Sequence, residues 1–458
     1  MTALIVNEGL GLFNPSYVGG QASIGQGDIK NYVNAATGNL VLNDRDEILV
    51  GRGVDIVAEQ TYNSLGEWND SDQNGWRFGF ERTVKLVGSL NSSGSSIIRT
   101  LGDGHEVTYA YIGSGQYESR NGEGNFDRIW KSGANYIWKN QSSGASDTYN
   151  SAGYLISSAD KDGNTRSYSY SGIKLTEIKF GNNEKMLFDY HSSGYGSGKL
   201  ASLKTYANGV TSTEVYYNYD SSHRLYQVKS DLSSDDNSIS DGHVYTSTYL
   251  YDGASLRVRE ISQSDGSKVS FTYLYHDGKY KVHTVTDGTG HKQTYSYGSS
   301  YTSVSDDLGN SWRYDFDSEK RLVKTTSPNA DGQVMVTQFQ YDANDNIIKS
   351  IDANGKTTSF TYDGVGNKTS QIDPLGHKTE WRYVGKKLVS ETHYINASTP
   401  ATNRFVYDGV GHLRFTISAE GRVSEQRYNS VGQRVAAITY NGGQYPAGSL
   451  AVTTQLRL

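Results

Sequence analysis

The sequence predicts an all-β protein, a long antiparallel sheet that grows by one β-hairpin per repeat. Three observations predict it: a short turn pattern returns at near-constant spacing, glycines hold fixed places within each copy, and the residues between turns alternate apolar with polar.

The turns come first. Tyr341-Asp342-Ala343-Asn344-Asp345-Asn346, Tyr362-Asp363-Gly364-Val365-Gly366-Asn367, Tyr407-Asp408-Gly409-Val410-Gly411-His412 and Tyr428-Asn429-Ser430-Val431-Gly432-Gln433 are copies of one element. Tyr341, Tyr362 and Tyr383 stand 21 residues apart, Tyr407 follows after 24 and Tyr428 after another 21, the longer step holding the extra Asn396-Ala397-Ser398-Thr399-Pro400. A second turn sits at a fixed offset, because Gly355, Gly376 and Gly421 each lie 14 places after Tyr341, Tyr362 and Tyr407. Far upstream, Tyr149 has Gly153 and Gly163 at the matching offsets. Asp or Asn caps its own turn, and Gly tolerates positive φ, which is the chemistry of a tight hairpin reversal.

Between the turns the period is two. Leu413, Phe415 and Ile417 alternate with Arg414, Thr416 and Ser418, and Thr379, Trp381 and Tyr383 with Glu380 and Arg382. One period is therefore two short strands and two turns, and since a lone hairpin is marginal in water, each unit needs its neighbours. Tyr170, Tyr190, Tyr219, Tyr251, Tyr275, Tyr297 and Phe316 carry the aromatic register through the middle of the chain, where turn glycines are lost or displaced, as around Ser221-Ser222-His223-Arg224.

The Y-D-x-x-G turn, followed about one strand later by D-x-x-G and closing on another tyrosine, resembles the tyrosine-aspartate (YD) repeat of the Rhs family, which is similar to repeats of Tc-toxin shell proteins and teneurins. The resemblance covers Tyr149 to Tyr440. Two upstream places, Val33 to Leu40 and Gln60-Thr61-Tyr62-Asn63-Ser64 with Gly75-Trp76, resemble the segment that precedes the repeats in Rhs proteins, with Gln60 standing where the family usually has Arg. The resemblance implies that the sheet spirals into part of a hollow shell around an unfolded or partly folded toxin polypeptide. The partners it implies are a C-terminal or separate toxin polypeptide and the remaining shell chain, and the place of action is outside the cell or at its surface.

Composition agrees with a sheet that has a large solvated face: 36 Tyr and 51 Gly stand against 5 Pro and 35% hydrophobic residues in 458. A formal charge of −6 offers no basic stripe for nucleic acid and no polybasic anchor for membrane. Without cysteine there is no disulfide framework, thiolate nucleophile or cysteine zinc site. Met1 to Leu10 lacks the positive region and apolar core of a Sec-type signal peptide, so export is expected by another route, and no apolar run is long enough for a spanning helix.

Three regions are expected: an irregular Gly- and Ser-rich leader at 1–27, an N-terminal β region at 28–148, and the hairpin array at 149–458. Trp68, Trp76, Trp130 and Trp138 read as core and strand-face packing, with a carbohydrate-stacking platform as the alternative. The polar insertion from Asp231 to Gly242 reads as a surface loop, and its acidic residues do not follow EF-hand spacing.

No catalysis, cofactor or metal is expected. There is no H-E-x-x-H or G-x-S-x-G, and Gly194-Tyr195-Gly196-Ser197-Gly198-Lys199 misses the phosphate-loop pattern, with Ser193 for the first glycine and Leu200 for the magnesium-binding hydroxyl. Asp342, Asp352, Asp363, Asp373 and Asp408 recur with the period, as turn-capping residues would. Asp373-Pro374-Leu375-Gly376 resembles the segment at which Rhs proteins cut their own chain, but His377 replaces the leucine and another repeat follows, so no autoproteolytic residue is carried over. Two non-catalytic roles remain: a shell, with Thr357, Ser359 and Thr361 lining a wet lumen, or an adhesion or glycan-binding surface.

Overall fold

The structure, a computed structural model, describes residues 2–440 apart from 14, 26–28, 51–54, 67–74, 120–125, 181–183, 208, 235–237, 329–332 and 397–398. Two sheets hold its strands. The smaller has six, in the order Tyr17–Gly19, Ala3–Val6, Lys30–Asn34, Leu40–Leu49, Ile56–Asn63 and Trp76–Phe78. The larger is a ladder of 32 strands, from Thr83–Val87 to Arg434–Thr439, in which sequence neighbours pair antiparallel, and it closes on itself through a bridge between Thr83 and Tyr154. Its strands join by hairpins, so the ladder has two rims, one made by the Y-D turns and one by the second turns.

The regional boundaries differ from those expected. Within the expected leader at 1–27, Ala3–Val6 is an ordered strand, buried throughout and paired parallel with Lys30–Asn34. A strand buried on both faces shows no alternation, which is why Leu4-Ile5-Val6 went unread among glycines and serines. The ladder also starts near Thr83 rather than Tyr149, because pairing continues where the turn letters do not. Residues 441–458, assigned to the array, lie outside the described residues.

In the turns, each aspartate caps its own reversal. Asp342 Oδ1 accepts the N–H groups of Asn344 and Asn346, Asp363 Oδ1 those of Val365 and Asn367, and Asp408 Oδ1 those of Val410, Gly411 and His412. Gly153, Gly163, Gly355, Gly366, Gly376, Gly411, Gly421 and Gly432 all have φ between 74° and 103°.

Most repeat tyrosines also mark a register shift, Tyr297 being an exception. Tyr341 pairs with Ile347, Tyr362 with Lys368, Tyr407 with Leu413 and Tyr428 with Arg434, each with an extra residue on the outgoing strand. A bulge bends its strand and increases the right-handed twist, so a bulge recurring in most hairpins favours coiling of the sheet.

The tyrosines tie repeat to repeat. The hydroxyls of Tyr190, Tyr251, Tyr273, Tyr297, Tyr341, Tyr362, Tyr407 and Tyr428 donate to the carbonyls of Leu175, Leu225, Val258, Val282, Leu322, Ile347, Leu388 and Leu413, respectively, at 2.6–3.1 Å. The residue before several of these acceptors lays a cation over the same ring: Lys174 on Tyr190, Arg224 on Tyr251, Arg257 on Tyr273, Lys281 on Tyr297, Arg321 on Tyr341 and Lys387 on Tyr407, at 4.5–5.7 Å. In one hairpin the rung is Tyr273, not the expected Tyr275, which is 66% exposed. There the strands run past the bulge through Leu274↔Lys281, Tyr275↔Tyr280 and His276↔Lys279, moving the turn outward.

Three outcomes follow. Gly153→Ala and Gly163→Ala both strain a positive-φ position, but a Cβ on Gly153 would meet the Val84 carbonyl at 2.1 Å while one on Gly163 meets nothing within 4 Å. Thermal unfolding should show the larger loss for Gly153→Ala, beyond the roughly 1 kcal/mol of strain common to both. Tyr362→Phe, which removes one hydroxyl bond and keeps the ring, should cost about 1 kcal/mol in a denaturant titration.

The third concerns acid. Burial pulls Asp342 up, but bonds from the Asn346 side chain and the turn N–H groups outweigh it and hold the carboxyl below its ordinary value. A carboxylate depressed by folding adds stability above its unfolded value, about 4, and that contribution is lost as pH falls through the folded value. Asp342→Asn should therefore be less stable than the parent near neutral pH, with the gap closing below about pH 4 in urea titrations at a series of pH values.

Candidate functional site

The smaller sheet lies inside the coil, because the ladder touches both its faces. From one face, Asp44 accepts the Tyr249 hydroxyl at 3.0 Å, Asp46 accepts that of Tyr217 at 2.7 Å, and Tyr62 donates to the Leu256 carbonyl at 2.8 Å. Phe78 and Phe80 pack on Phe188, and Trp76 on Tyr249. From the other face, Asn43, Glu59 and Thr61 line a cavity of ≈ 470 Å³ with Arg99, Tyr109, Asp127 and Trp138 of the ladder. Burial pushes Asp127 up to about 6, against bonds from Gln141 and Asn140. Burial and the neighbouring Asp44 push Asp46 up as well, against bonds from Tyr217 and Gln60.

The coil starts at a polar joint. Thr83 bridges Tyr154, and the Val84 N–H donates to the Gly153 carbonyl at 2.9 Å. Beside it, buried Asp147 takes Arg82 at 2.6 Å and Arg99 at 2.7 Å, while Arg99 also donates to the Tyr149 hydroxyl at 2.8 Å and lies over Trp138 at 3.7 Å. Tyr149 and Gly153, two of the sequence-marked residues, thus meet here.

One revolution later, the Y-D rim comes down on the second-turn rim of the first coil. His412 reaches Asp162 at 2.6 Å, Asn164 donates to the Val431 carbonyl at 3.0 Å, and Lys386 lies over Phe126 at 5.2 Å. These partners are 250, 267 and 260 residues apart. Tyr407, Asp408, Gly411, Tyr428 and Gly432 stand at this seam, whereas Gly355, Gly376 and Gly421 stand on the opposite rim. Further round, residues 8–13 fill the seam: the Leu12 N–H donates to Asp103, and Phe13 packs on His105.

The inner face changes character along the coil. Buried apolar residues continue on it to Leu322, opposite the enclosed sheet. In the strands Val334–Tyr341, Thr357–Tyr362, Lys378–Val384 and Thr399–Tyr407, that face carries Phe339, Tyr341, Thr358, Phe360, Tyr362, Thr379, Trp381, Tyr383, Asn403, Phe405 and Tyr407, all half-buried. Register carries it from Tyr314 through Thr325 to Thr337. Thr357, Ser359 and Thr361, expected to line a lumen, are on the outer face, since the aromatic rungs claim the inner one.

The remaining candidates find local roles. Asp352 and Asp373 cap second-rim turns, and His377 bonds Asp373 through both its N–H and its ring. In the glycine-rich turn at 194–199, the Gly198 N–H is spent on the His191 carbonyl. Trp76 and Trp138 are buried and Trp130 half-buried, so none of them forms an open stacking platform; Trp68 lies outside the described residues. Among the described residues no cluster of His, Asp and Glu could hold a metal, and no helix is long and apolar enough to cross a membrane. Sequence reasoning missed the cations over the rungs, although a signal existed: a Lys or Arg directly before Leu or Val at the start of the outgoing strand.

A family model for the RHS repeat matches residues 341–379. No curated protein matches the chain. Among solved structures, the chain is similar to TcdB2-TccC3 without its hypervariable C-terminal region, with 9% identity and a TM-score of 0.42 over 86% of this chain and 29% of that one. It is also similar to a TcdB2-TccC3-TEV structure (10% identity, TM-score 0.37, 88% and 31% covered) and to a Photorhabdus luminescens Tc holotoxin pore (9%, 0.26, 88% and 31%). The chain thus spans about three-tenths of the length of these proteins. One stretch, residues 341–379, thus matches the RHS repeat, and the same turn and rung recur beyond it along a single ladder.

Proposed function

We propose that the chain is a non-catalytic wall segment of a shell that encloses a toxin or effector polypeptide, acting outside the cell or at its surface. The observation that supports this most is the change in the inner face beyond Leu322. Up to there the face is occupied by the chain's own N-terminal sheet; beyond it, rings of Phe, Tyr and Trp alternate with Thr, Ser, Gln and Asn and have no partner sheet among the described residues. Such a surface offers weak, sequence-tolerant contacts to an unfolded chain through aromatic faces and side-chain hydrogen bonds. The carboxylates that might otherwise serve acid-base chemistry are spent on turn N–H groups, which supports a passive wall.

The test is binding of a labelled, permanently unfolded polypeptide to the purified full chain, followed by fluorescence anisotropy, alongside a glycan array. Binding that weakens about threefold to tenfold in Trp381→Ala, with a blank array, is expected. Binding indifferent to Trp381, or specific glycan capture, would overturn the wall reading in favour of an adhesion surface.

A further inference from the structure

The seam within the molecule shows how a Y-D rim docks on a second-turn rim. Asp160 Oδ1 accepts the N–H groups of Asp162 and Asn164, and the Asn164 amide donates to Asp160 Oδ2 at 2.6 Å and, across the seam, to the Val431 carbonyl at 3.0 Å. Val431 stands in its Y-D turn at the place whose N–H the capping Asn429 accepts. The fit is close, since a Cβ on Gly432 would meet Asp162 at 2.1 Å.

The same turn recurs further along the second-turn rim. Asp306 Oδ1 accepts the N–H groups of Leu308 and Asn310, the Asn310 amide donates to Asp306 Oδ2 at 2.7 Å, and Gly309 has φ 87° against 84° at Gly163. Here no Y-D turn lies across from it among the described residues. Asn310 is exposed, its second amide hydrogen has no acceptor among the described residues, and Leu308 is 77% exposed. Rims meet at the seam 250–267 residues apart, and this sequence contains no turn that far beyond Asn310. The matching acceptor stands on the opposite rim of the first revolution. In the Y-D turn after Tyr219, Asp220 Oδ1 accepts the N–H groups of Ser222 and Arg224, so Ser222 occupies the place of Val431, exposed and with no donor on its carbonyl among the described residues. His223, at φ 62°, takes the place that Gly432 fills at 80°.

We infer that these two rims are the two sides of a contact between copies of this chain: the second-turn rim around Asn310 of one copy receives the Y-D rim around Ser222 of a second, and copies stack end to end. The occupant is a second copy because one chain carries both the donor turn and the acceptor turn, and because the seam shows that such turns dock. A contact between unlike patches is heterologous, so it propagates from copy to copy instead of closing in a pair. This rests on the wall reading, to which it supplies the next segment, but not on what the wall encloses.

Sedimentation equilibrium of the purified full chain should show mass rising with concentration between about 1 and 100 µM. Asn310→Ala keeps the backbone bonds of its turn and should weaken this association about threefold to tenfold. Leu308→Arg and Ser222→Trp, both at exposed positions, each block one rim, and each should stay monomeric alone with the urea midpoint of the parent. Mixed, the two should form a one-to-one dimer through the rims left unblocked. A parent that stays monomeric at about 100 µM, blocked variants that assemble as the parent does, or a mixture that stays monomeric would each overturn the stacking. Binding of the unfolded polypeptide, measured on the same samples, fails separately, so loss of the stacking and loss of the wall reading are told apart.

Discussion

The bond from a tyrosine hydroxyl to the carbonyl of the preceding repeat is the interaction on which this architecture rests. The two strands it joins already share backbone bonds, but their pairing stops short of the Y-D rim; the tyrosine closes that end and ties one hairpin to the next. Each such bond contributes about 1 kcal/mol net, and a cation over the ring adds about as much where the ring is partly desolvated. Neither is large alone. Repeated once per hairpin along a chain in which each unit touches mainly its neighbours, they add as nearest-neighbour terms and hold a wall with little deep aliphatic core. Phe316, which has no hydroxyl, keeps the ring at its rung and gives up the bond.

Coiling follows from the same residues. Bulges at most of the repeat tyrosines bend their hairpins, and after 250–267 residues one rim meets the other. The contacts at that meeting are made by turn side chains, not by ladder bonds, so the coil is continuous along the strand direction of growth and merely docked across the seam. Polar turn chemistry thus serves twice, capping the reversal and supplying the seam.

Much of this was legible in the letters. The turns at Asp342, Asp363 and Asp408, their glycines and the hairpin ladder could be read because each is a local requirement of backbone geometry. What could not be read was set by tertiary packing. Tyr273 rather than Tyr275 makes the rung because strand length moved the turn; Thr357, Ser359 and Thr361 face outward because direction in a sheet depends on which face is claimed by larger groups. The strand Ala3–Val6 hid because a doubly buried parallel strand has no period. The pairing of Lys or Arg with the next tyrosine was visible in the sequence but means nothing until one knows that the two lie on adjacent hairpins.

The enclosed sheet has a further consequence, for the order of events during synthesis. Residues 3–78 leave the ribosome before any of the ladder, and the ladder later surrounds them on both faces. They cannot be inserted into a finished coil without opening it. The N-terminal sheet therefore occupies the space that the first revolution winds around, in contact with it on both faces.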